Sequence, residues 1–330
     1  MSESIETQSR ILPLLATTET CAGRTYIVTG SNTGLGFEAA KHLVTLGAAK
    51  VIMAVRNVGA GETAKAEIEK ATDKSHVAEV WALDLASYDS VKVFAKRAVA
   101  ELDRIDAVIE NAAVAVSQRT MAEGHILPLT VNVFSTFLLA VLLLPKLKET
   151  AQRFNILPCL TLVSSGVGFR AKEDWYKIKD DPFVKMDENE SGLMQTYPLS
   201  KLLEIFAIRY LAALIPVSRS GVVLNTVCPG LCKTDLSRNA TPEFREHLQA
   251  QLDQYGRTAE VGSRTLLHAA VAGWESHGCY LSSCKIAEDV VPSWITDEEG
   301  KQSQQYVWDL IAMELESIEP GYVKRILQEL

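Results

Sequence analysis

The chain has 330 residues, 47% of them hydrophobic and 22% charged, which allows a large core and excludes disorder as the default class. Its formal net charge of −8 and pI near 5.4 argue against a nucleic-acid binder, a role that needs a basic face to displace counterions. Six cysteines without a CxxC pair build neither a disulfide scaffold nor a zinc cage, and read as the reduced thiols of a cytoplasmic protein with no metal site.

Residues 1–22 show no strong period and read as a loose N-terminal extension; the acidic start and the short apolar run at 11–16 do not make a secretory signal. Strand-length apolar runs then alternate with helical patterns. Residues 25–29 (TYIVT) predict a strand, followed by glycines and a helix over about 35–46 that Gly47 stops. Residues 50–55 predict a second strand, 61–73 a polar helix and 77–83 a third strand. In 87–102, Val91, Phe94, Ala95, Ala98, Val99 and Leu102 make the stripe of an amphipathic helix. A fourth strand at 105–109, an apolar helix near 130–149, a fifth strand at 157–164, a helix over 196–214 and a sixth strand at 221–228 follow. The stretch 131–147 is the most membrane-like, but Asn132 and Pro145 interrupt it, and its unbroken run falls short of the ~20 residues of a bilayer span. A buried or subunit-interface helix is expected there, and no transmembrane segment.

This alternation predicts an α/β fold: one doubly wound parallel sheet with helices on both faces, in a single domain over 23–330. Two segments break the pattern. Residues 166–195 read as a long polar insertion, and 284–330 as a C-terminal tail with a helix near 298–316. The insertion carries Phe169, Trp175, Tyr176, Phe183 and Met186 among its charges. These either cover a lipophilic substrate as a lid or pack the insertion onto the neighbouring surface. Its acidic residues are interleaved with lysines and read as a solvated surface rather than a metal site.

Two motifs carry chemistry. Thr29-Gly30-Ser31-Asn32-Thr33-Gly34-Leu35-Gly36 follows the first strand and opens a helix. Glycines in that context let the backbone approach a pyrophosphate, and the helix N-terminus favours its negative charge. Tyr197-Pro198-Leu199-Ser200-Lys201 puts a cation four residues from a phenol, on one helical face. A free phenol, with a pKa near ~10, is a poor proton donor or acceptor at neutral pH, and the ammonium is expected to lower that value.

TGxxxGxG followed by YxxxK resembles the short-chain dehydrogenase/reductase family, and the segments TGSNTGLGFEAA, AVRN and PGLCKTDL resemble its retinol-dehydrogenase-like branch in fungal form, over roughly residues 22–316. The resemblance implies a Rossmann-type fold and an NADP(H)-dependent oxidoreductase, with hydride moving between nicotinamide and a lipophilic ketone, aldehyde or alcohol, in secondary metabolism. It implies that Tyr197 is the general acid–base group and that Lys201 binds the nicotinamide ribose. Asn132 then holds a water in a proton relay, and a serine bonds the carbonyl oxygen. Either Ser164 or Ser165 can be that serine; Ser165, followed by Gly-Val-Gly, aligns better. The cofactor positions implied are Gly30, Asn32, Thr33, Gly34, Leu35 and Gly36 in the Gly-rich turn, and Asp84, Leu85 and Asn111 after later strands. Pro229, Gly230, Leu231 and Thr234 follow the sixth strand. Arg56, with no acid beside it, suits a ribose 2′-phosphate. The helices around Asn132 and Tyr197 match those that pair subunits in the family, which implies a homodimer.

Two features depart from the pattern. Glu110 and Ala113 replace Asn and Gly of the usual Asn-Asn-Ala-Gly, and Ser165 and Tyr197 stand 32 residues apart. The first departure leaves room for a cofactor-binding regulator or scaffold without redox turnover, and the fold also admits a recruited cyclisation or dehydration. The intact Ser, Tyr and Lys speak for the redox enzyme.

Overall fold

A computed structural model describes residues 5–189 and 193–329. Eight strands form the central sheet: β1 (Thr25–Thr29), β2 (Lys50–Val55), β3 (Ala78–Ala82), β4 (Ala107–Glu110), β5 (Cys159–Val163), β6 (Val223–Cys228), β7 (Tyr280–Ser282) and β8 (Lys285–Ile286). Their order is β8-β7-β6-β5-β4-β1-β2-β3, parallel throughout except where β8 runs antiparallel to β7. The order turns back at β1, and the crevice beyond the carboxyl ends of β1 and β4 is where such sheets take ligands.

Helices cover both faces. One face carries α1 (Gly34–Thr45), α2 (Val58–Thr72) and a helix at Ala259–Val271, packed on Val28, Val51 and Ile109. The other carries α3 (Tyr88–Glu101), α4 (Thr136–Phe154) and a helix at Leu193–Leu214, packed on Ile27, Val108 and Leu160. Because strand side chains alternate, neighbours such as Val108 and Ile109 serve opposite cores. The apolar α4 is preceded by a π-helical stretch, Leu129–Ser135. Together they are long and apolar enough to cross a membrane, and 89% of the apolar window is buried inside the fold. Burial against protein accounts for the composition that looked membrane-like.

Three segments differ from the sequence reading. The N-terminal extension is not loose: Leu12 and Ala16 are buried, and Gln8 is only 8% exposed. The polar insertion is helical, with α5 (Lys172–Ile178) and α6 (Pro182–Glu188); its residues 190–192 lie outside the described part. Trp175 packs on Phe206 at 5.2 Å and Phe183 on Phe134 at 4.9 Å, so these aromatics fill core. Numbering onward, α7 is Leu193–Leu214, α8 Pro242–Tyr255, α9 Ala259–Val271, α10 Glu298–Ile318 and α11 Tyr322–Glu329.

The expected tail is thus two packed helices. Trp308 of α10 meets Phe137 of α4 at 6.0 Å, and Tyr322 of α11 donates to the Leu142 carbonyl of α4 at 3.5 Å. Val307, Ile311 and Leu315 of α10 join the same core as Leu203 and Ile208 of α7. The chain's own C-terminal helices thus pack against α4 and α7, the helices for which the family resemblance implied subunit pairing.

Candidate active site

A cavity of about 1100 Å³ lies at the carboxyl end of the sheet. The Gly-rich turn forms one wall, contributing Gly30, Asn32, Thr33, Gly34 and Leu35. Gly36 is buried beneath it: a Cβ there would come within 2.6 Å of Asn111 Nδ2 and of the Gly30 carbonyl. Only glycine lets α1 start this close to the turn. Asn111 closes the contact, donating from Nδ2 to the Thr29 carbonyl at 2.9 Å, while Thr29 Oγ1 accepts from the amides of Asn111 and Ala112. β1 and β4 are thereby pinned at the point where the sheet order reverses.

Further along this wall stand Arg56, exposed at the end of β2, and Asp84 and Leu85 after β3. Asp84 Oδ1 accepts from the Ala86 amide at 2.9 Å, which shapes the turn. Asn57 caps α2 through the Ala60 amide. The cleft, the glycine cradle and the cation at Arg56 fit a dinucleotide with its pyrophosphate at the start of α1.

The opposite wall holds the reactive side chains. Ser165, Tyr197 and Lys201 all line the cavity. Ser164 lines it too, but it is 2% exposed and its hydroxyl donates to the Lys201 carbonyl at 3.0 Å, tying α7 to β5. Ser165 is half-buried, and its hydroxyl accepts from the Val167 amide at 3.3 Å. Its remaining hydrogen-bonding capacity makes it the serine open to a ligand. Asn132 does not line the cavity. It is fully buried, its Oδ1 accepting from the Val114 amide at 2.9 Å and its Nδ2 donating to the Val114 carbonyl and to Ser200 Oγ at 3.0 Å. Ser200 in turn donates to the Tyr197 carbonyl at 2.8 Å. The Asn132 side chain is a brace between the segment after β4 and the Tyr197 turn of α7.

Lys201 departs from the simple sequence argument. Its Nζ lies 5.7 Å from the Tyr197 ring centre, but it donates to Glu204 Oε1 at 2.8 Å and to the Val163 carbonyl at 3.0 Å. Lys201 and Glu204 are 2% and 3% exposed, so the ion pair is dry. The ammonium charge is balanced locally, and the expected lowering of the Tyr197 pKa does not appear. Burial pushes that phenol well above its ordinary value, with the Glu204 carboxylate and Cys228 adding to the effect. Tyr197 is therefore held as a neutral phenol.

Pro229, Gly230, Leu231 and Thr234 line the cavity after β6. Gly230 has φ +77°, and a Cβ there would lie 2.5 Å from Gln8 Oε1 and 2.6 Å from Arg257 Nη1. Both neighbours hold the loop from behind. Gln8 Oε1 accepts from the Leu231 amide at 2.9 Å, and its Nε2 donates to the carbonyls of Leu231 at 3.0 Å and Tyr255 at 2.8 Å. Arg257, 1% exposed, donates to the carbonyls of Pro229 and Ser9, both at 2.7 Å. Between Leu231 and Tyr255 runs α8, an exposed helix whose Phe244, His247, Leu248, Gln251 and Leu252 share one face toward the cavity. The insertion contributes Gly166, Val167, Phe169 and Arg170 to the lining, all before α5.

Sequence reasoning missed Gln8, Arg257, Glu204 and the α8 face. Glu204 had a signal, since it stands three residues after Lys201 on the same helix. The α8 face had one in Phe244, Leu248 and Leu252, four residues apart. Gln8 had none: its partner Leu231 is 223 residues away.

Residues 24–171 match the family model for short chain dehydrogenase. The chain is 42% identical over 305 residues to the short chain dehydrogenase/reductase dmxR8 of Cryptosporiopsis sp., covering 91% of this chain and 93% of that one. It is 36% identical to the short-chain dehydrogenase anuD of Penicillium roqueforti, covering 91% of this chain and 79% of the relative. Among solved structures, a short chain dehydrogenase from Shigella flexneri 2a complexed with NADP superposes with a TM-score of 0.59 at 21% identity, covering 82% of this chain and all of that one. The 3-ketoacyl-(acyl-carrier-protein) reductase of Brucella melitensis complexed with NADH gives 0.58 at 18% identity, covering 79% and 97%. The fold is theirs, and with its fungal relatives this chain belongs to the short-chain dehydrogenase/reductase family of oxidoreductases.

Proposed function

We propose that the protein is an NADPH-dependent carbonyl reductase acting on a lipophilic ketone or aldehyde. The observation that carries this reading is the convergence of Ser165, Tyr197 and Lys201 on the same cavity as the Gly-rich turn. A protonated phenol suits donation of a proton to a carbonyl oxygen, which is the reductive direction. The bound nicotinamide supplies the hydride, and the protein handles position and proton. In this reading Ser165 donates a hydrogen bond to the carbonyl oxygen and Tyr197 gives it the proton. Lys201 stands ready for the nicotinamide ribose, and Thr234 and the Leu231 backbone bracket the nicotinamide end. Asn132 acts by holding the Tyr197 turn.

Arg56 supports NADPH over NADH, since no carboxylate stands at the end of β2 to meet a ribose 2′-hydroxyl. The substrate end is lined by Val114, Val116, Val167, Phe169, Leu236 and Phe244, which supports an apolar substrate. Its fungal relatives support a place in secondary metabolism. Six free thiols, four of them buried, support a reducing compartment such as the cytoplasm. A scaffold without turnover has no use for a serine and a neutral phenol facing one cavity.

The test is to incubate the protein with deuterated NADPH and a panel of bulky apolar ketones and aldehydes, following NADPH loss and deuterium at the product carbinol carbon. The expected result is stoichiometric transfer to one face. NADPH binding without consumption across the panel favours the scaffold reading.

A further inference from the structure

Two carboxyl groups near the Lys201 anchor are buried without adequate partners. Glu110, at the end of β4, is 5% exposed, and neither of its oxygens has a hydrogen-bond partner. Glu204 is 3% exposed; Oε1 is bonded to Lys201, while Oε2 is buried and unpaired. The fold directs both to the same side of the sheet. Val108 packs into the core under α7, while Ala107 and Ile109 serve the opposite core, so Glu110, two residues beyond Val108, faces α7. Its partner in the register is Leu162 of β5, one residue before the Val163 carbonyl that accepts from Lys201 Nζ.

A buried carboxylate with no donor costs several kcal/mol and takes up a proton instead. Burial raises the pKa of Glu110 well above the usual carboxylic range, and the nearby Glu204 raises it further. Glu204 is raised by its own burial, an effect opposed by Lys201 and by Ser164. One cation cannot hold two buried carboxylates ionised, and such a pair titrates as a unit.

We propose that Glu110 and Glu204 hold one proton between them behind Lys201, as the internal reserve from which the phenol of Tyr197 is reprotonated during carbonyl reduction. This rests on the reductase reading. As the carbonyl carbon takes up hydride, Tyr197 gives its phenolic proton to the carbonyl oxygen and becomes phenolate. The Lys201 ammonium returns a proton to the phenolate, and the amine so formed takes the proton held by the two glutamates. The pair regains its proton from solvent after product release. One proton enters per alcohol formed. The groups facing this path are Lys201 and Tyr197 from α7, Ser164 just after β5, Cys228 from β6 and Glu110 from β4. The departure from Asn-Asn-Ala-Gly at Glu110 is thereby given a chemical role, exerted through Lys201.

Infrared spectroscopy of the cofactor-free protein at neutral pH tests the reserve without any substrate. The expected spectrum contains a carboxylic acid carbonyl band that shifts in D2O and on 13C-glutamate labelling. That band is lost in Glu110→Gln and kept in Glu204→Gln. Absence of a glutamic acid band in the unmodified protein overturns the proposal even if Glu110→Gln fails to fold, as does a band that a folded Glu110→Gln leaves in place. In turnover, Glu110→Gln is expected to lower kcat on the order of 10²-fold with NADPH affinity unchanged, the low end of what a positioned acid–base group contributes. An unchanged kcat in that variant also overturns it. If the band behaves as expected and no carbonyl compound is reduced, the reductase reading fails and the shared proton stands.

Discussion

Gln8 grips Leu231 with both ends of its amide: Oε1 accepts from the Leu231 N–H at 2.9 Å and Nε2 donates to the Leu231 carbonyl at 3.0 Å. The same Nε2 reaches Tyr255 at 2.8 Å, so one side chain of the N-terminal strap closes the neck of the segment that carries α8 over the cavity. Gln8→Ala leaves the Leu231 amide without this partner, at a cost of about 1–3 kcal/mol. NADPH is expected to bind roughly 5–150-fold more weakly, on the same energy scale. Hydrogen exchange is expected to rise over residues 229–257 and stay level in β1–β4. Uniform exchange and unaltered affinity would show that the strap is passive.

Arg56 is exposed at the cavity wall with no ion pair among the described residues, and is free to meet a 2′-phosphate. Removing a hydrogen bond to a charged group costs about 1.5–3 kcal/mol. Arg56→Ala is therefore expected to raise the Kd for NADPH on the order of 10–100-fold and to leave NADH within a factor of about two. Titration of both cofactors decides the matter. A better kcat/KM with NADH in the unmodified protein contradicts the assignment.

His125 ties three parts of the chain together. Its Nδ1 lies 2.6 Å from Asp187 of α6, its Nε2 lies 3.6 Å from Glu314 of α10, and its ring packs on Phe134 at 4.7 Å. The hydrogen bond to Asp187 and the neighbouring Glu314 carboxylate raise its pKa from 6.5 to about 9. A folded-state value above the unfolded one means that the stabilisation is complete below pH 6.5 and lost as pH rises through about 9. Thermal melts between these limits are expected to show a falling Tm in the unmodified protein, on the order of 2–6 °C for 1–2 kcal/mol. His125→Gln is expected to start lower and to flatten that slope. A parallel slope in the variant assigns the pH dependence to other groups.

α10 and α11 pack against α4 and α7 and cover apolar surface of both helices. Light scattering is expected to give the mass of one chain, 36.2 kDa. Deleting residues 320–330 exposes Leu142 and its neighbours, and is expected to produce larger species. A dimer of the full chain that persists on dilution contradicts this.

Much of the sheet was legible because parallel strands buried on both faces are continuous apolar runs, as at residues 50–55 and 223–228. The Gly-rich turn and the Tyr197–Lys201 pair were legible because each acts over a few residues of one element. Of the two readings of the insertion, packing is the one that Trp175, Phe183 and Met186 show, while its helices were not legible among its interleaved charges. The state of Tyr197 was missed for a related reason. Helical spacing placed Lys201 near it but did not reveal that Glu204, on the same helix, already balances the charge. The strap at Gln8 depends on contacts across most of the chain, which no local pattern encodes.

The central claim is that Tyr197 delivers the proton in a hydride-transfer reaction within this cavity. Tyr197→Phe keeps the ring and its packing and removes only the transferable proton. Turnover of any ketone or aldehyde that the unmodified protein reduces is expected to fall about 10²–10⁴-fold, with the Kd for NADPH unchanged. Near-normal kcat in the variant, with the cofactor bound as tightly as before, would contradict the mechanism outright.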